Sequence, residues 1–129
     1  MSWHDPLWHL RDMIAYGHEA MELAAGRSDP QADGRVLFLA AERLLEIMGE
    51  AARAIPADLR DRHPGVPWAK FTGMRNVLIH AYHRVDPGEV WRTLADDLPK
   101  LVPLIEQALL AEEERRRAES GTDPGQPSE

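Results

Sequence analysis

GRVLFLAAERLLEIMGEAARAI, residues 34–55, is the stretch on which the fold turns. Its apolar members Val36, Ala40, Leu44, Ile47, Met48, Ala51 and Ile55 recur at steps of three and four and form one stripe, as in a helix with one face in a core. Glu42, Glu46 and Glu50 follow each other at i, i+4 on the opposite face and read as solvated rather than as metal-bridging carboxylates. Upstream, Pro6 to Ala25 predicts another amphipathic helix, with Leu7, Leu10, Ile14, Met21 and Ala24 inward and Gly26 at its end. Downstream, Pro56 starts a short helical turn over Ala57 to Arg62, closed by His63-Pro64-Gly65. Pro67 suits a first helical turn, so Trp68 to about Ala81 reads as a third long helix. Asp86 caps a fourth, which carries Val90, Trp91, Leu94 and Leu98 on one side. Pro99 and Pro103 predict a break or kink before a last segment bearing Leu101, Val102, Ile105, Ala108 and Leu109. No alternating period-two run flanked by hairpin turns occurs. The expected fold is all-α, an antiparallel bundle of four to five helices.

A chain of 129 residues with 43% hydrophobic and 29% charged residues has the length and composition of one globular domain. The helical domain is expected over residues 1–118, with the charged run from Glu112 carrying the last helix into solvent. Residues 119–129 are too polar to fold and read as a disordered tail. The absence of cysteine excludes disulfide frameworks, thiolate-bound zinc, iron–sulfur clusters and thiol nucleophiles. No apolar run approaches the roughly 18 residues a membrane span needs, and no signal peptide is visible at Met1, so a soluble cytoplasmic protein without a membrane partner is expected. No Gly-rich phosphate loop is present, so the chain is not expected to bind ATP itself.

The formal charge of −7 argues against a general nucleic-acid coat. Its distribution is uneven. Arg53, Arg60, Arg62, Lys70, Arg75 and Arg84 outnumber Asp58 and Asp61 between residues 53 and 84, leaving +4 there and −11 elsewhere. His63, His80 and His83 lie in the same stretch, which is where an anion would be met. His80 and His83, or His4 and His9, have spacings that could suggest a metal. No carboxylate cluster completes a ligand set, so no metal is expected. Trp68 and Trp91 read as core or interface packing, with a base-stacking platform at Trp68 as the less favoured reading.

Within that stretch, Met74-Arg75-Asn76-Val77-Leu78-Ile79-His80-Ala81-Tyr82-His83-Arg84 interrupts an apolar helix with groups suited to phosphoryl transfer. Arginine grips phosphate in a planar fork, and histidine exchanges a proton near neutral pH. At 3.6 residues per turn Asn76 and His80 share a face, as do Arg75 and Tyr82, whereas Arg75 and His80 lie about 140° apart. A long arginine, a helix end near Ala81 or a second copy across a two-fold axis would bring the two together. Composition alone favours a capped helix end with surface ion pairs over a catalytic set.

Arg75-Asn76, three residues, then His80-Ala81-Tyr82 resembles the RNxxxHxY motif of HEPN-domain ribonucleases, within them the HepT-like toxin family. Ile47-Met48-Gly49-Glu50-Ala51-Ala52, Pro64-Gly65-Val66-Pro67-Trp68 and Asp86-Pro87-Gly88-Glu89-Val90-Trp91 follow in the order that family uses, so the likeness is clear from about Val36 to Leu109. The resemblance implies a HEPN-like homodimer with a composite cleft, acting as a metal-independent endoribonuclease toxin of a toxin–antitoxin pair. It implies that His80 is the general acid/base for attack by a ribose 2′-OH on its own 3′-phosphate, leaving a 2′,3′-cyclic phosphate. Arg75 would stabilise the charge on phosphorus, with Asn76 in support. Lys70, His83 and Arg84 are candidate RNA contacts. DNA lacks the 2′-OH and should not be cut. Tyr82 would be the site where a partner nucleotidyltransferase antitoxin of the MNT type adds AMP from ATP, the only use of a cofactor in the pair. The competing expectation is a non-catalytic HEPN-like module that docks such a nucleotidyltransferase.

Overall fold

The computed structural model describes residues 5–27, 33–80 and 86–121, with the backbone alone at Val77 and His80. Among these residues the chain forms α1 (Pro6–Gly26), α2 (Gly34–Ala54), α3 (Ala57–Arg62), α4 (Trp68–His80), α5 (Pro87–Arg92), a π-helical turn over Thr93–Asp97, and α6 (Leu98–Glu119). Three starts are set by aspartates. Asp5 accepts from the Leu7 amide, Asp33 from those of Arg35 and Val36, and Asp86 from that of Gly88, each satisfying a donor that the first turn leaves free. At the far end, Gly121 at φ 70° ends the chain's last turn in a conformation that side chains disfavour. Residues 122–129 of the expected tail lie outside the described residues.

α1 is the centre of the bundle. Its partner α6 runs antiparallel to it, since Asp5 meets Arg116, Arg11 meets Glu113 and His18 meets Glu106. It also packs along α2, and α2 carries α4 on its other side. The core joins Leu10 and Met13 of α1, Met48 and Ala52 of α2, and Leu94, Leu98, Val102 and Ile105 of the last rod. Gly17 permits the three-way contact, because a Cβ there would lie 2.7 Å from Val102 Cγ2 and 3.2 Å from Met48 Cε. The buried row of α1 is therefore Leu7, Leu10, Met13, Gly17 and Ala20. Ile14, Met21 and Ala24, expected inward, are only half-buried beside it. On α2 the burial likewise extends to Ala41, Leu45 and Ala52, while Val36 is exposed.

Two expectations change. Pro99 and Pro103 do not interrupt the last helix. α5, the π turn and α6 form one continuous helical run, in which the Leu98 amide bonds to the Thr93 carbonyl five residues back. Proline's ring strikes the carbonyl four residues before it in an α-helix. The widened turn just ahead of Pro99 takes that carbonyl out of α-helical position. Both prolines lie on the exposed side, where water can replace the missing bond. The charged run after Leu110 also does not simply enter solvent. Glu112 is buried, and Glu113 and Arg116 are paired to α1.

Glu112 is the anchor of the base of the bundle. Arg62 donates to it twice, Nε to Oε2 at 3.1 Å and Nη2 to Oε1 at 2.7 Å. His63 Nε2 lies 2.6 Å from Oε2. The arginine's hydrogen bonds, helped by His63 and opposed by burial, hold the Glu112 carboxyl down to about 2. Asp5 is likewise held at about 2, chiefly by the Arg116 hydrogen bonds.

Candidate active site

α4 lies at the margin of the bundle, and its position depends on one close helix crossing. Gly49 of α2 meets Arg75 and Phe71 of α4. A Cβ at 49 would collide with the Arg75 Cβ and come 2.7 Å from the Phe71 carbonyl oxygen. A mid-helix glycine costs about 1 kcal/mol against alanine, and the closeness of the crossing is what that cost sustains here. Phe71 and Leu78 are buried, which seats the inner side of α4 against α2. The outer side leaves Ala69, Gly73 and Asn76 exposed.

The crossing buries most of Arg75 and orients its head. The side chain is 14% exposed, and its Nη2 faces Glu50 Oε1 of α2 at 3.6 Å. Nη1 donates to Asn76 Oδ1 at 3.1 Å. Nε is buried without a partner among the described residues. The guanidinium is thus held at two corners, by an acid from α2 and an amide from its own helix. Sequence reasoning had Glu50 on a solvated face and gave Gly49 no role of its own. The available signal was a glycine in the middle of a buried stripe, next to an acid. The remaining acids on that face also have particular surroundings: Glu46 pairs with Arg43, and burial, then the nearby Glu46 charge, pushes the Glu42 carboxyl up.

The other candidates separate. His80 is the last described residue of α4, and its side chain lies outside the described residues, as do Ala81, Tyr82, His83 and Arg84 altogether. Lys70 sits on a different side of α4 from Arg75. It pairs with Asp97 at 3.4 Å, and Asp97 also faces Arg92 at 3.5 Å. These groups rim a cleft of about 270 Å³ between α4 and α5, floored by Leu45, Met74, Leu78 and Val90. Arg62 is turned to Glu112 instead, so the basic stretch does not form one continuous wall. Trp68 is buried and donates from Nε1 to the His63 carbonyl at 3.0 Å, which makes it a packing residue rather than a stacking platform. Trp91 is buried too, with Arg27 over its ring at 4.7 Å. No described helix is long and apolar enough to cross a membrane.

Comparison with known proteins places these residues in a family context. Residues 13–108 match the family model described as "Ribonuclease HepT-like". The chain is similar to proteins named "Putative RNase" in Methanocaldococcus jannaschii and in Caldanaerobacter subterraneus subsp. tengcongensis. The first is 39% identical over 57% of this chain and 68% of the relative; the second is 39% identical over 60% and 69%. A "Probable ribonuclease HepT" of Thermococcus cleftensis is 48% identical over 46% of this chain, and the match spans about half, 54%, of that relative. No solved structure matches the chain.

Proposed function

The chain belongs to the HepT-like ribonuclease family, and on that premise we propose that it is a metal-independent endoribonuclease, the toxin of a toxin–antitoxin pair. The observation that carries this reading is the immobilised Arg75. A cation held by Glu50 and Asn76 at a helix crossing, inside an RNxxxHxY string, is preorganised for a phosphate. Preorganisation is what lets a charge stabilise a transition state without reorganising during the reaction.

On this reading His80 takes the proton from a ribose 2′-OH, whose oxygen then attacks the adjacent phosphorus. Arg75 stabilises the charge gathering on the phosphoryl oxygens, and the 5′-oxygen takes a proton from the protonated imidazole of His80 and leaves as a 5′-hydroxyl, giving a 2′,3′-cyclic phosphate. Two copies share the cleft, so that the arginine of one and the histidine of the other can face one phosphate. The exposed small residues Ala69 and Gly73 on the outer side of α4 suit a close approach by a second copy. Asn76 supports Arg75 through its Oδ1, His83 and Arg84 are the candidate RNA contacts beside the motif, and Lys70 would meet RNA only away from Arg75, where it also pairs with Asp97. Tyr82 is the site where a partner nucleotidyltransferase transfers AMP from ATP, adding bulk and negative charge that repel RNA. The pair works in the cytoplasm.

The test is total RNA incubated with purified protein in EDTA, wild type beside Arg75→Ala and His80→Ala. The expected result is cleavage by wild type alone, leaving 2′,3′-cyclic phosphate ends. An unmodified dimer that leaves RNA intact would instead support a docking module. Intact mass distinguishes that outcome from a silenced enzyme carrying AMP.

A further inference from the structure

We propose that Glu50 is a positioning residue for the reaction, holding the Arg75 guanidinium in the plane it needs to meet phosphate; this rests on the ribonuclease reading above. Arg75 projects from α4, and Asn76 on the same helix holds only one corner of its fork, Nη1. Among the described side chains, none within α4 holds the other corner. Glu50 reaches it from α2, with Oε1 3.6 Å from Nη2. Nε, the third donor direction, is buried without a partner among the described residues. A guanidinium anchored only through Nη1 can still swing about its side-chain bonds, and an ion pair from a second helix restricts that swing. Gly49 makes the brace possible, because the two backbones must approach this closely for the neighbouring carboxylate to reach the arginine.

Glu50 is itself 56% exposed, so the fold does not require its carboxylate as a buried counter-charge. The exposure sets two roles against each other. As a brace, Glu50 raises turnover. As a competitor for Arg75, it would weaken RNA binding and restrain turnover. These differ in sign, and truncation separates them.

The experiment compares wild type, Glu50→Ala and Glu50→Gln in cleavage of a defined single-stranded RNA and in nitrogen NMR of the arginine side chains. Glutamine keeps the size of the side chain and removes the charge, and at 3.6 Å it is the charge that acts on Nη2. The expected result for Glu50→Ala is a kcat about 10-fold or more lower with KM little changed, the cost of a misplaced group. Glu50→Gln, which keeps the bulk without the charge, should show most of the same loss. The Arg75 Nη signals should be distinct in wild type, from slow rotation about the Nε–Cζ bond, and should merge in Glu50→Ala. Faster cleavage or a lower KM in both variants would overturn the proposal in favour of competition. Unchanged kcat with a freed guanidinium would overturn it too. A wild-type protein shown by intact mass to carry no AMP that never cuts RNA would refute the ribonuclease reading, while Arg75 Nη signals that are distinct in wild type and merge in Glu50→Ala would still establish the brace.

Discussion

Gly49 and Arg75 are in direct contact across the α2–α4 crossing, with no room for even a methyl group between them. The catalytic candidate is therefore positioned by a missing side chain as much as by the groups that bind it.

Gly49→Ala tests that relationship. Alanine would improve helix propensity by about 1 kcal/mol, but the atoms in its way are a backbone carbonyl and a Cβ, which cannot swing aside. Overpacking should win, for a net loss of about 1–2 kcal/mol in urea unfolding. RNA cleavage should fall with it, because α4 must shift away from Glu50.

Arg75→Lys separates charge from geometry. A lysine keeps the positive charge but cannot present two fixed donors to Glu50 and Asn76 while facing a phosphate. Cleavage is expected to drop roughly 100-fold with the melting temperature little altered, the size of effect seen when one preorganised donor is lost. Near-wild-type cleavage would show that a simple point charge suffices.

The Glu112 cluster should set the acid limb of stability. Its carboxyl lies near 4.5 when unfolded and at about 2 when folded, so the unfolded chain binds the proton more readily. Stability is thus fully present above the unfolded value and is lost as pH falls from there through about 2. The contribution at neutral pH is on the order of 3 kcal/mol. Glu112→Gln should be less stable at pH 7 and should flatten the decline between roughly pH 5 and pH 2, measured by urea titrations across that range. An unchanged slope would remove Glu112 as its source.

Tyr82→Phe addresses the partner. The variant should remain toxic on expression yet escape silencing by a co-expressed nucleotidyltransferase, with no added mass of AMP. Silencing of the phenylalanine variant would mean that the partner inhibits by docking.

Helix ends were legible because caps and breakers act on neighbouring residues. Asp86 begins its helix as its place before a helical run predicts, and α3 falls on Ala57–Arg62 as Pro56 and His63-Pro64 delimit it. The same local rules fail at Pro99, since they assume α-helical spacing and a π turn precedes it. They also miss the true buried face of α1, whose width follows from having a helix on either side. The motif around Arg75 could be read as a phosphate-handling set without any tertiary information.

The partner of a charge is different in kind. Glu50 lies on the polar side of its helix, and Glu112 opens a run of charges that by composition belongs in water. Their ion-pair partners, Arg75 and Arg62, are 25 and 50 residues away. Periodicity and capping depend on neighbours a few residues apart, so the chain specifies its helices and its reactive residue types locally. A salt bridge or a close helix crossing depends on where distant segments meet, and only the packing of α2 on α4 and of α3 on α6 decides that.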